Sequence, residues 1–488
     1  MNVLLVYSKL GVNKDDVLIL NPGDIHHGIS YISSVLKLNG HHTKIAFLSN
    51  KYNKKINQSI LERTIKEFNP KLIGFTSVSS EYPFISKMAQ YVKSIYHECF
   101  LILGGTHVSI FPEEKMLEIF DSLCIGEGEY PLLELVDMLE SGQKPAKIAN
   151  LWLKTESGIE KNPPRKMIEN LDSLPFQDRE LWMNNYVIND ESVLSILLGR
   201  GCPFKCTYCS NHALSRLAAG KYTRYRSPEN IAAEISLLNQ QYPFIRTYTL
   251  QVETIGVDLN WIRKLSAELT EINSKLPEPL SFAVNLRIIP NLKYEQIFEQ
   301  LKACNAKEIS IGLESGSERI RKNVLNRNYS NQDVILVSNL AKSCGLKIHF
   351  YVMLGFPDET PADMKETIEL CRYIQPDFIV LSIFYPYPGT DLYKLCIERG
   401  CLNNFELSEK ERTKAFINYP GLSTKQINRT YILFDLLVYR GHKPIAKLIF
   451  SAFIKALRMN KYYETFRSFL DNKYIMRVYR YFMKITRL

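Results

Sequence analysis

The amino-acid sequence predicts an α/β protein with a doubly wound parallel sheet, a partial (β/α)6 barrel and a helical C-terminal segment. Two observations carry this prediction. Short apolar runs alternate with amphipathic stretches through residues 1–145, and the same alternation repeats six times through residues 191–395. Continuous apolar strands that alternate with helices are typical of parallel sheets with both faces covered.

The first domain, residues 1–145, is predicted to contain five strands with helices between them. The strands are Asn2–Ser8, Thr43–Ser49, Lys71–Ser79, Cys99–His107 and Ser122–Gly126. Amphipathic periodicity predicts the helices His27–Leu38, Phe84–Tyr96 and Pro131–Leu139. Ligands in such sheets bind outside the carboxyl ends of the strands, so residues at those ends are the candidate contacts.

Residues 146–190 are predicted to be a connector. Leu151–Lys154 and Ile159–Lys161 flank a Ser157-Gly158 turn and predict a small hairpin. Prolines after the hairpin break any further regular element.

Residues 191–395 are predicted to form the barrel. Its strands are Val193–Gly199, Ile245–Glu253, Leu280–Arg287, Glu308–Glu314, Lys347–Gly355 and Phe378–Tyr385. Its helices are Asn230–Gln241, Trp261–Ser274, Tyr294–Cys304, Asn331–Cys344 and Ala362–Ile374. Six units are too few for a complete eight-fold barrel, so the barrel should be open on one side and need a cover there.

Residues 396–488 are predicted to be helical and basic. From Gly421 to Leu488 there are 14 Lys and Arg against 3 Asp and Glu, whereas the rest of the chain is nearly neutral. Tyr431–Val438 and Pro444–Leu457 are apolar and helical, and Tyr462–Leu488 interleaves aromatic with basic residues. We favour a cap over the open side of the barrel; contact with an anionic membrane and RNA binding are the alternatives. No RNA-binding signature is present, so no nucleic-acid partner is expected.

The composition is that of a globular protein in a reducing compartment. Hydrophobic residues make up 45% and charged residues 23% of the 488 positions, which is ordinary for a folded soluble chain. Ten cysteines over this length do not make a disulfide scaffold, and only three lie close together. The start of the sequence has no signal-peptide pattern, and no apolar run is long enough to span a bilayer. We therefore expect a cytoplasmic protein, with membrane association through the tail as the alternative.

Cys202, Cys206 and Cys209 follow the first barrel strand in a C-x3-C-x2-C pattern. Thiolates are the ligands of iron–sulfur clusters, and three of them leave one iron of a 4Fe–4S cluster open for chemistry. There are two alternatives. One is a zinc site with His212 as its fourth ligand, and the other is that the three cysteines are unrelated core residues. The remaining cysteines lie in apolar or helical contexts, which is typical of inert buried side chains.

The cysteine loop resembles the signature of the radical S-adenosylmethionine superfamily. Three more segments resemble motifs of that family: Ile311–Ser317, Met353–Thr360 and Tyr385–Thr390. The resemblance implies that S-adenosylmethionine binds the open iron, and that cluster reduction cleaves it to methionine and a 5′-deoxyadenosyl radical. It also implies cofactor contacts by Glu314, Ser315 and Glu253.

Two alternatives stay open at the barrel mouth. Glu253 departs from the paired aspartates of many relatives, and an ion pair between Glu253 and Arg287 is an equal explanation of both residues. Arg327 either binds a carboxylate or is a solvated loop charge.

The first domain resembles the cobalamin-binding domain of B12-dependent radical enzymes, which is flavodoxin-like. The resemblance rests on Ser77 and Ser79 after the third strand and on Gly104 and Gly105 after the fourth. It implies that these four residues contact cobalamin. The segment around His26 is one residue short of the older cobalt-ligating motif, so we expect it to cap a helix. A flavodoxin-like domain that has lost its cofactor is the alternative.

Together the two resemblances imply a cobalamin-dependent radical enzyme, in most such cases a methyltransferase, that methylates an unactivated carbon. Its substrate would be a small molecule or a lipid-linked or glycan-linked compound, and a flavodoxin or ferredoxin would supply electrons. A radical cyclase or rearrangement enzyme, and one with a vestigial B12 domain, are the rivals. A methylthiotransferase needs further N-terminal cysteines where this chain has only Cys99 and Cys124. A non-catalytic corrinoid or redox sensor is the alternative in which the protein is not an enzyme.

Overall fold

A computed structural model describes residues 1–9, 12–14, 17–19, 25–49, 54–185, 188, 192–217, 220–402, 405, 407 and 411–459. These residues form two mainly parallel sheets with helices around them, followed by two C-terminal helices. The predicted α/β architecture is therefore confirmed. Among the described helices, none has the length and apolar character needed to cross a bilayer.

The first part of the chain is a parallel sheet with helices on both faces. Its elements are β1 (Asn2–Ser8), β2 (Val12–Lys14), β3 (Val17–Ile19), α1 (His27–Leu38), β4 (His42–Leu48), α2 (Lys54–Phe68), β5 (Leu72–Thr76), α3 (Tyr82–Ile95), β6 (Phe100–Gly104), α4 (Thr106–Ile110), β7 (Ser122–Cys124) and α5 (Glu129–Glu140). Strands β4, β1, β5, β6 and β7 pair in that order and in parallel. Successive strand side chains point to opposite faces, so Val3 and Leu5 pack in one core while Leu4 and Val6 pack in the other.

The predicted connector is part of this first sheet. Strands β8 (Leu151–Thr155) and β9 (Gly158–Lys161) form the expected hairpin, and β8 pairs antiparallel with β7. The chain that follows stays on the same domain, because Trp182 is fully buried in its core and donates from Nε1 to the Ser30 hydroxyl at 2.9 Å.

The barrel segment is an open sheet of six parallel strands. Its elements are β10 (Val193–Leu197), β11 (Gly199–Arg200), α6 (Ser210–Leu214), β12 (Arg224–Tyr225), α7 (Pro228–Gln241), β13 (Thr247–Ile255), α8 (Leu259–Ser274), β14 (Ser281–Leu286), α9 (Tyr294–Ala303), β15 (Ala306–Glu314), α10 (Glu318–Asn323), α11 (Asn331–Ser343), β16 (Lys347–Leu354), α12 (Pro361–Ile374), β17 (Phe378–Ile383) and α13 (Asp391–Glu398). The sheet order β10-β13-β14-β15-β16-β17 follows the chain, as expected for successive β/α units. All six predicted strands are present.

The C-terminal helices lie at the β17 end of the barrel. Helix α14 (Thr424–Tyr439) packs on α12 and β17 through the buried Phe434 and Val438. Helix α15 (Ile445–Met459) packs on α14, where Asp435 accepts from Lys455 and Ser451. Helix α14 thus covers the β17 edge of the sheet, and a cap over the whole open side stays a prediction. The predicted aromatic and basic segment Tyr462–Leu488 lies outside the described residues.

Candidate functional site

A cavity of about 550 Å³ lies between the two sheets. The first domain contributes four glycines from strand ends, which are Gly104, Gly105, Gly126 and Gly128. The barrel contributes residues near the cysteine loop, among them Gly201 and the charged Arg200, Arg224 and Glu253. A cavity of this size that is lined by two domains is a typical position for a ligand site.

Gly104, Gly105, Gly126 and Gly128 form one wall of the cavity, which we call the glycine wall. The space available for a side chain differs between its positions. Gly105 has a φ of +98°, and a Cβ there would lie 2.6 Å from the Thr76 hydroxyl and 2.7 Å from the Ser77 carbonyl oxygen. The backbone itself therefore requires glycine at this position. A Cβ on Gly104 would meet its nearest neighbours at 3.8 and 3.9 Å, so the space at Gly104 is open. This wall leaves room for a large flat ligand.

Ser77 and Ser79 are buried behind the glycine wall. Both are 4% exposed, and neither side chain lines the cavity. The Ser79 hydroxyl lies 3.1 Å from Nδ1 of His107. The Ser77 hydroxyl and Nε2 of His107 are buried and have no hydrogen-bond partner in the described part of the chain. Unsatisfied buried polar atoms are rare, and those near a cavity fit a polar ligand group.

The histidine pair at the start of α1 also borders the cavity. His26 caps α1, because its Nδ1 accepts from the Ile29 backbone N–H at 3.1 Å, as the sequence predicted. His27 Nδ1 lies 3.0 Å from the Gln177 side-chain oxygen. Burial lowers the pKa of each histidine to about 4, so both are neutral at physiological pH.

The cysteine loop is fixed in place by its two ends. A Cβ on Gly201 would lie 2.2 Å from the Tyr222 carbonyl oxygen, so only glycine allows the chain to enter the loop here. Further along, the Thr207 hydroxyl donates to the Val324 carbonyl at 2.6 Å, and the Cys209 N–H donates to the Cys206 carbonyl at 3.2 Å. The loop therefore presents its cysteines on a fixed backbone.

Burial keeps the Cys202 and Cys209 thiols of this loop neutral in the absence of metal. It raises the pKa of Cys202 and raises that of Cys209 to about 12, and Glu253 adds to both effects. In the described chain, no three His, Cys, Asp or Glu side chains converge as they would around a single metal ion. A 4Fe–4S cluster instead takes each thiolate on a different iron. His212, the fourth ligand in the zinc alternative, is paired with Asp391 at 3.1 Å.

Glu314 and Arg327 form a buried ion pair beside this loop. Arg327 Nη1 lies 3.1 Å from a Glu314 oxygen and also donates to the Tyr208 hydroxyl at 2.9 Å. Arg327 is 4% exposed, so the idea of a solvated loop charge was wrong, and the carboxylate that it binds is the protein's own. Ser315 is fully buried and contacts Thr367. Neither Glu314 nor Ser315 lines the cavity.

Glu253 is the predicted carboxylate that faces the cavity. Its side chain is exposed in β13, which continues two residues further than predicted. No ion pair between Glu253 and Arg287 occurs among the described residues; Arg287 Nη1 instead lies 2.6 Å from the Cys206 sulfur. The barrel-mouth ion pair offered as an alternative is therefore not formed.

An ion-pair network that sequence reasoning missed joins the two domains. Arg200 Nη1 and Nη2 lie 2.9 Å from Glu127 and 2.6 Å from Glu129, and Arg224 Nη2 lies 3.0 Å from Glu127. Burial alone would lower the pKa of Arg200, but Glu129 and Glu127 outweigh it and raise that pKa above its usual range. The only sequence signal is that Glu127 and Glu129 alternate with two glycines, Gly126 and Gly128, at the end of the fifth predicted strand. The network holds the glycine wall against the start of the cysteine loop.

Comparisons with known proteins agree with this geometry. The Radical SAM superfamily model matches residues 196–371, and the B12 binding domain model matches residues 16–136. The chain is 26% identical over 426 residues to an uncharacterised methyltransferase of Pyrococcus horikoshii, covering 87% of this chain and 89% of that protein. It is 22% identical over 439 residues to the anaerobic magnesium-protoporphyrin IX monomethyl ester cyclase of Rubrivivax gelatinosus, covering 83% and 77%.

The fold is also similar to that of a solved enzyme. The radical S-adenosylmethionine methyltransferase TsrM of Kitasatospora setae, with cobalamin and a 4Fe–4S cluster bound, aligns with a TM-score of 0.62 at 18% identity. The alignment covers 82% of this chain and 78% of that one. The two domain matches, in the order and at the positions of the two sheets, establish that this chain belongs to the B12-binding-domain-containing branch of the radical S-adenosylmethionine superfamily.

Proposed function

We propose that this enzyme cleaves S-adenosylmethionine at a 4Fe–4S cluster and methylates an unactivated carbon of its substrate with the help of cobalamin. The observation that carries the proposal is the shared cavity: one wall is the glycine edge of the B12 domain, and the other is the entrance to the cysteine loop. When bound, the cluster supplies the electron that breaks the sulfonium bond, and cobalamin supplies the methyl group.

The residues present fit these cofactors. Cys202, Cys206 and Cys209 would hold the cluster, because they share one backbone-anchored loop and a bound metal would favour the thiolate form that burial disfavours at Cys202 and Cys209. Glu253 would hold the amino group of S-adenosylmethionine, since it is the exposed carboxylate beside this loop. Glu314 and Ser315 would act one step away, by fixing Arg327 and the strand end.

The glycine wall would hold the corrinoid. Gly104 and Gly105 let a ligand approach the backbone closely, and Gly126 and Gly128 extend the same surface. Ser77 and Ser79 would then support the wall from behind, since both are buried and neither side chain lines the cavity.

A radical cyclisation is the second candidate, because a relative named as a cyclase aligns over 83% of this chain. The two reactions differ in the product. Methylation adds the mass of one methylene and takes its carbon from S-adenosylmethionine, whereas cyclisation adds no carbon. Turnover that is independent of cobalamin would instead indicate a vestigial B12 domain.

We further infer a cytoplasmic enzyme that meets a flavodoxin or ferredoxin as electron donor, with a small-molecule, lipid-linked or glycan-linked substrate. Peripheral membrane contact would belong to α15. Its residues Ile445, Ile449 and Phe453 recur every four positions and are 57%, 57% and 51% exposed. Helix α15 contains no acidic residue, and the 29 residues after it carry 7 Lys and Arg against 2 Asp and Glu. Such a helix suits an anionic lipid surface.

The proposal is tested first by iron content and then by turnover. Anaerobically reconstituted protein should hold about four irons per chain. Alanine at any of Cys202, Cys206 or Cys209 should abolish cluster absorption, while Cys304→Ala, a matched change at a buried cysteine outside the loop, should keep it. Dithionite-reduced enzyme should then release 5′-deoxyadenosine and transfer a deuterated methyl group from S-adenosylmethionine. A cluster that survives all three single substitutions would refute the assignment.

A further inference from the structure

Arg287 is a buried cation that points at the cysteine loop. It follows β14 and is 9% exposed, and its backbone N–H donates to the Thr254 hydroxyl at 2.9 Å. Its Nη1 lies 2.6 Å from the Cys206 sulfur, and its guanidinium carbon lies 4.0 Å from the centre of the Phe204 ring. Its two side-chain contacts with the loop therefore fix the guanidinium against one cysteine.

Arg287 lacks the counter-charge that comparable buried arginines have. Four others are each paired with a glutamate: Arg179, Arg224, Arg226 and Arg327. Arg321 has no carboxylate, but it donates to two carbonyl oxygens and an amide oxygen. Arg287 has no carboxylate within ion-pair distance in the described part of the chain. A buried charge is costly unless an opposite charge is close, so the missing anion must come from a ligand of this loop.

We propose that Arg287 sets the reduction potential of the cluster by placing a fixed positive charge and an N–H donor at Cys206. The inference rests on the proposed cluster site. In the reduction step an external donor loses one electron and the cluster gains it; no bond breaks and no proton moves. The added negative charge is stabilised by the nearby cation, and hydrogen bonds to sulfur and local charge are known determinants of cluster potentials.

Phe204 completes the arrangement. Its ring lies two residues after Cys202 and two before Cys206, and it covers one face of the guanidinium. A cation held over an aromatic face is restrained without losing its charge. The ring therefore keeps Arg287 directed at the sulfur. Because Arg287 would act through the cluster and does not touch the substrate, it is a positioning residue.

The test is a potentiometric titration of the full-length, reconstituted protein without S-adenosylmethionine or cobalamin, followed by electron paramagnetic resonance. At the wild-type midpoint potential, Arg287→Gln should lower the ratio of reduced to oxidised cluster at least about tenfold, a shift of about 59 mV for one electron. Arg287→Lys, which keeps the charge, should recover part of the shift. Arg246→Gln, at a partly exposed arginine near Glu278, should leave the midpoint unchanged.

Each other outcome decides the matter. Arg287→Gln with full iron content and the wild-type midpoint would overturn the proposal. A glutamine variant that holds no iron would also overturn it, since Arg287 would then be a structural support of the loop. Wild-type protein without a cluster would instead mean that the proposed function has failed, which iron analysis shows before any titration.

Discussion

At the scale of single residues, the carbonyl of Tyr222 explains why the cysteine loop begins with Gly201. The carbonyl leaves no space for a side chain there, and the next residue is Cys202. The sequence could predict the three cysteines because the ligand spacing is local. It could not predict the partners of Arg200, because Glu127 and Glu129 lie 73 and 71 positions away and form no local pattern with it.

Gly104 offers the cleanest probe of cobalamin binding. Gly104→Val should leave the fold intact, because a Cβ there meets only ordinary contacts, but its methyl groups would occupy ligand space. We expect affinity for hydroxocobalamin to fall at least about tenfold, or about 1.4 kcal/mol, as measured by absorbance titration. Gly105→Ala should destabilise the apoprotein itself, because it places a Cβ 2.6 Å from the Thr76 hydroxyl. Unchanged cobalamin affinity in the valine variant would place the corrinoid elsewhere.

Glu359 gives a pH-dependent prediction. One of its oxygens accepts from the backbone N–H groups of Gly355 and Phe356, and burial raises its pKa from 4.5 to about 8. A carboxyl whose folded-state pKa is raised stabilises the protein below its unfolded pKa, and this stabilisation is lost as pH rises through about 8. Glu359→Gln keeps an acceptor and removes the titration. Its Tm should exceed that of the wild type by about 2 °C near pH 8.5, and the difference should shrink as pH falls and vanish below about pH 4.5.

At the scale of elements, the sequence predicted the strands well and their ends less well. Apolar runs define the interior of β6, but it ends at Gly104, three residues before the predicted end, because Gly105 turns the backbone into α4. The predicted hairpin was also correct. The sequence could not predict that this hairpin joins the first sheet. Pairing between β7 and β8 depends on the tertiary structure and leaves no periodic pattern of apolar residues.

Substitutions in helix α15 can distinguish two roles of the C-terminal helices, a membrane-binding surface and a simple cap. The triple variant Ile445→Gln, Ile449→Gln and Phe453→Gln should keep its cluster and Tm, because these side chains are half exposed. It should lose most of the binding to anionic vesicles, since each buried apolar side chain contributes about 1 kcal/mol or more. Sedimentation with anionic and neutral vesicles at low and high salt measures this. Leu448→Ala, at the 4% exposed contact with α14, is the control that should lower Tm instead.

Vesicle binding by the triple variant at the wild-type level would rule out this surface. The fit of α14 on α12 and β17 would stand in either case, because Phe434 and Val438 are buried there.

At the scale of the whole molecule, the first domain extends well beyond its predicted end at residue 145. Without the connector, the edge of β7 would lose its antiparallel neighbour β8, and the core would lose Trp182. We expect fragment 1–185 to be soluble and to melt cooperatively, and fragment 1–145 to aggregate. Removal of one buried tryptophan alone costs about 3–5 kcal/mol. Circular dichroism melts decide the matter, and equal melts for the two fragments would contradict the prediction.

The hairpin β8–β9 also fixes where this chain could be spliced. A genetic crossover near residue 145 would separate β7 from the hairpin. One product would keep a sheet whose β7 edge has unpaired backbone groups, and the other would keep the hairpin without the strand that it pairs with. An exposed edge of that kind recruits other chains. A crossover beyond residue 185 would carry the hairpin and Trp182 along with their sheet. The heritable unit that can be exchanged between such enzymes is therefore longer than the ligand-binding sheet alone, and chimaeras built to swap corrinoid specificity should be joined at that later seam.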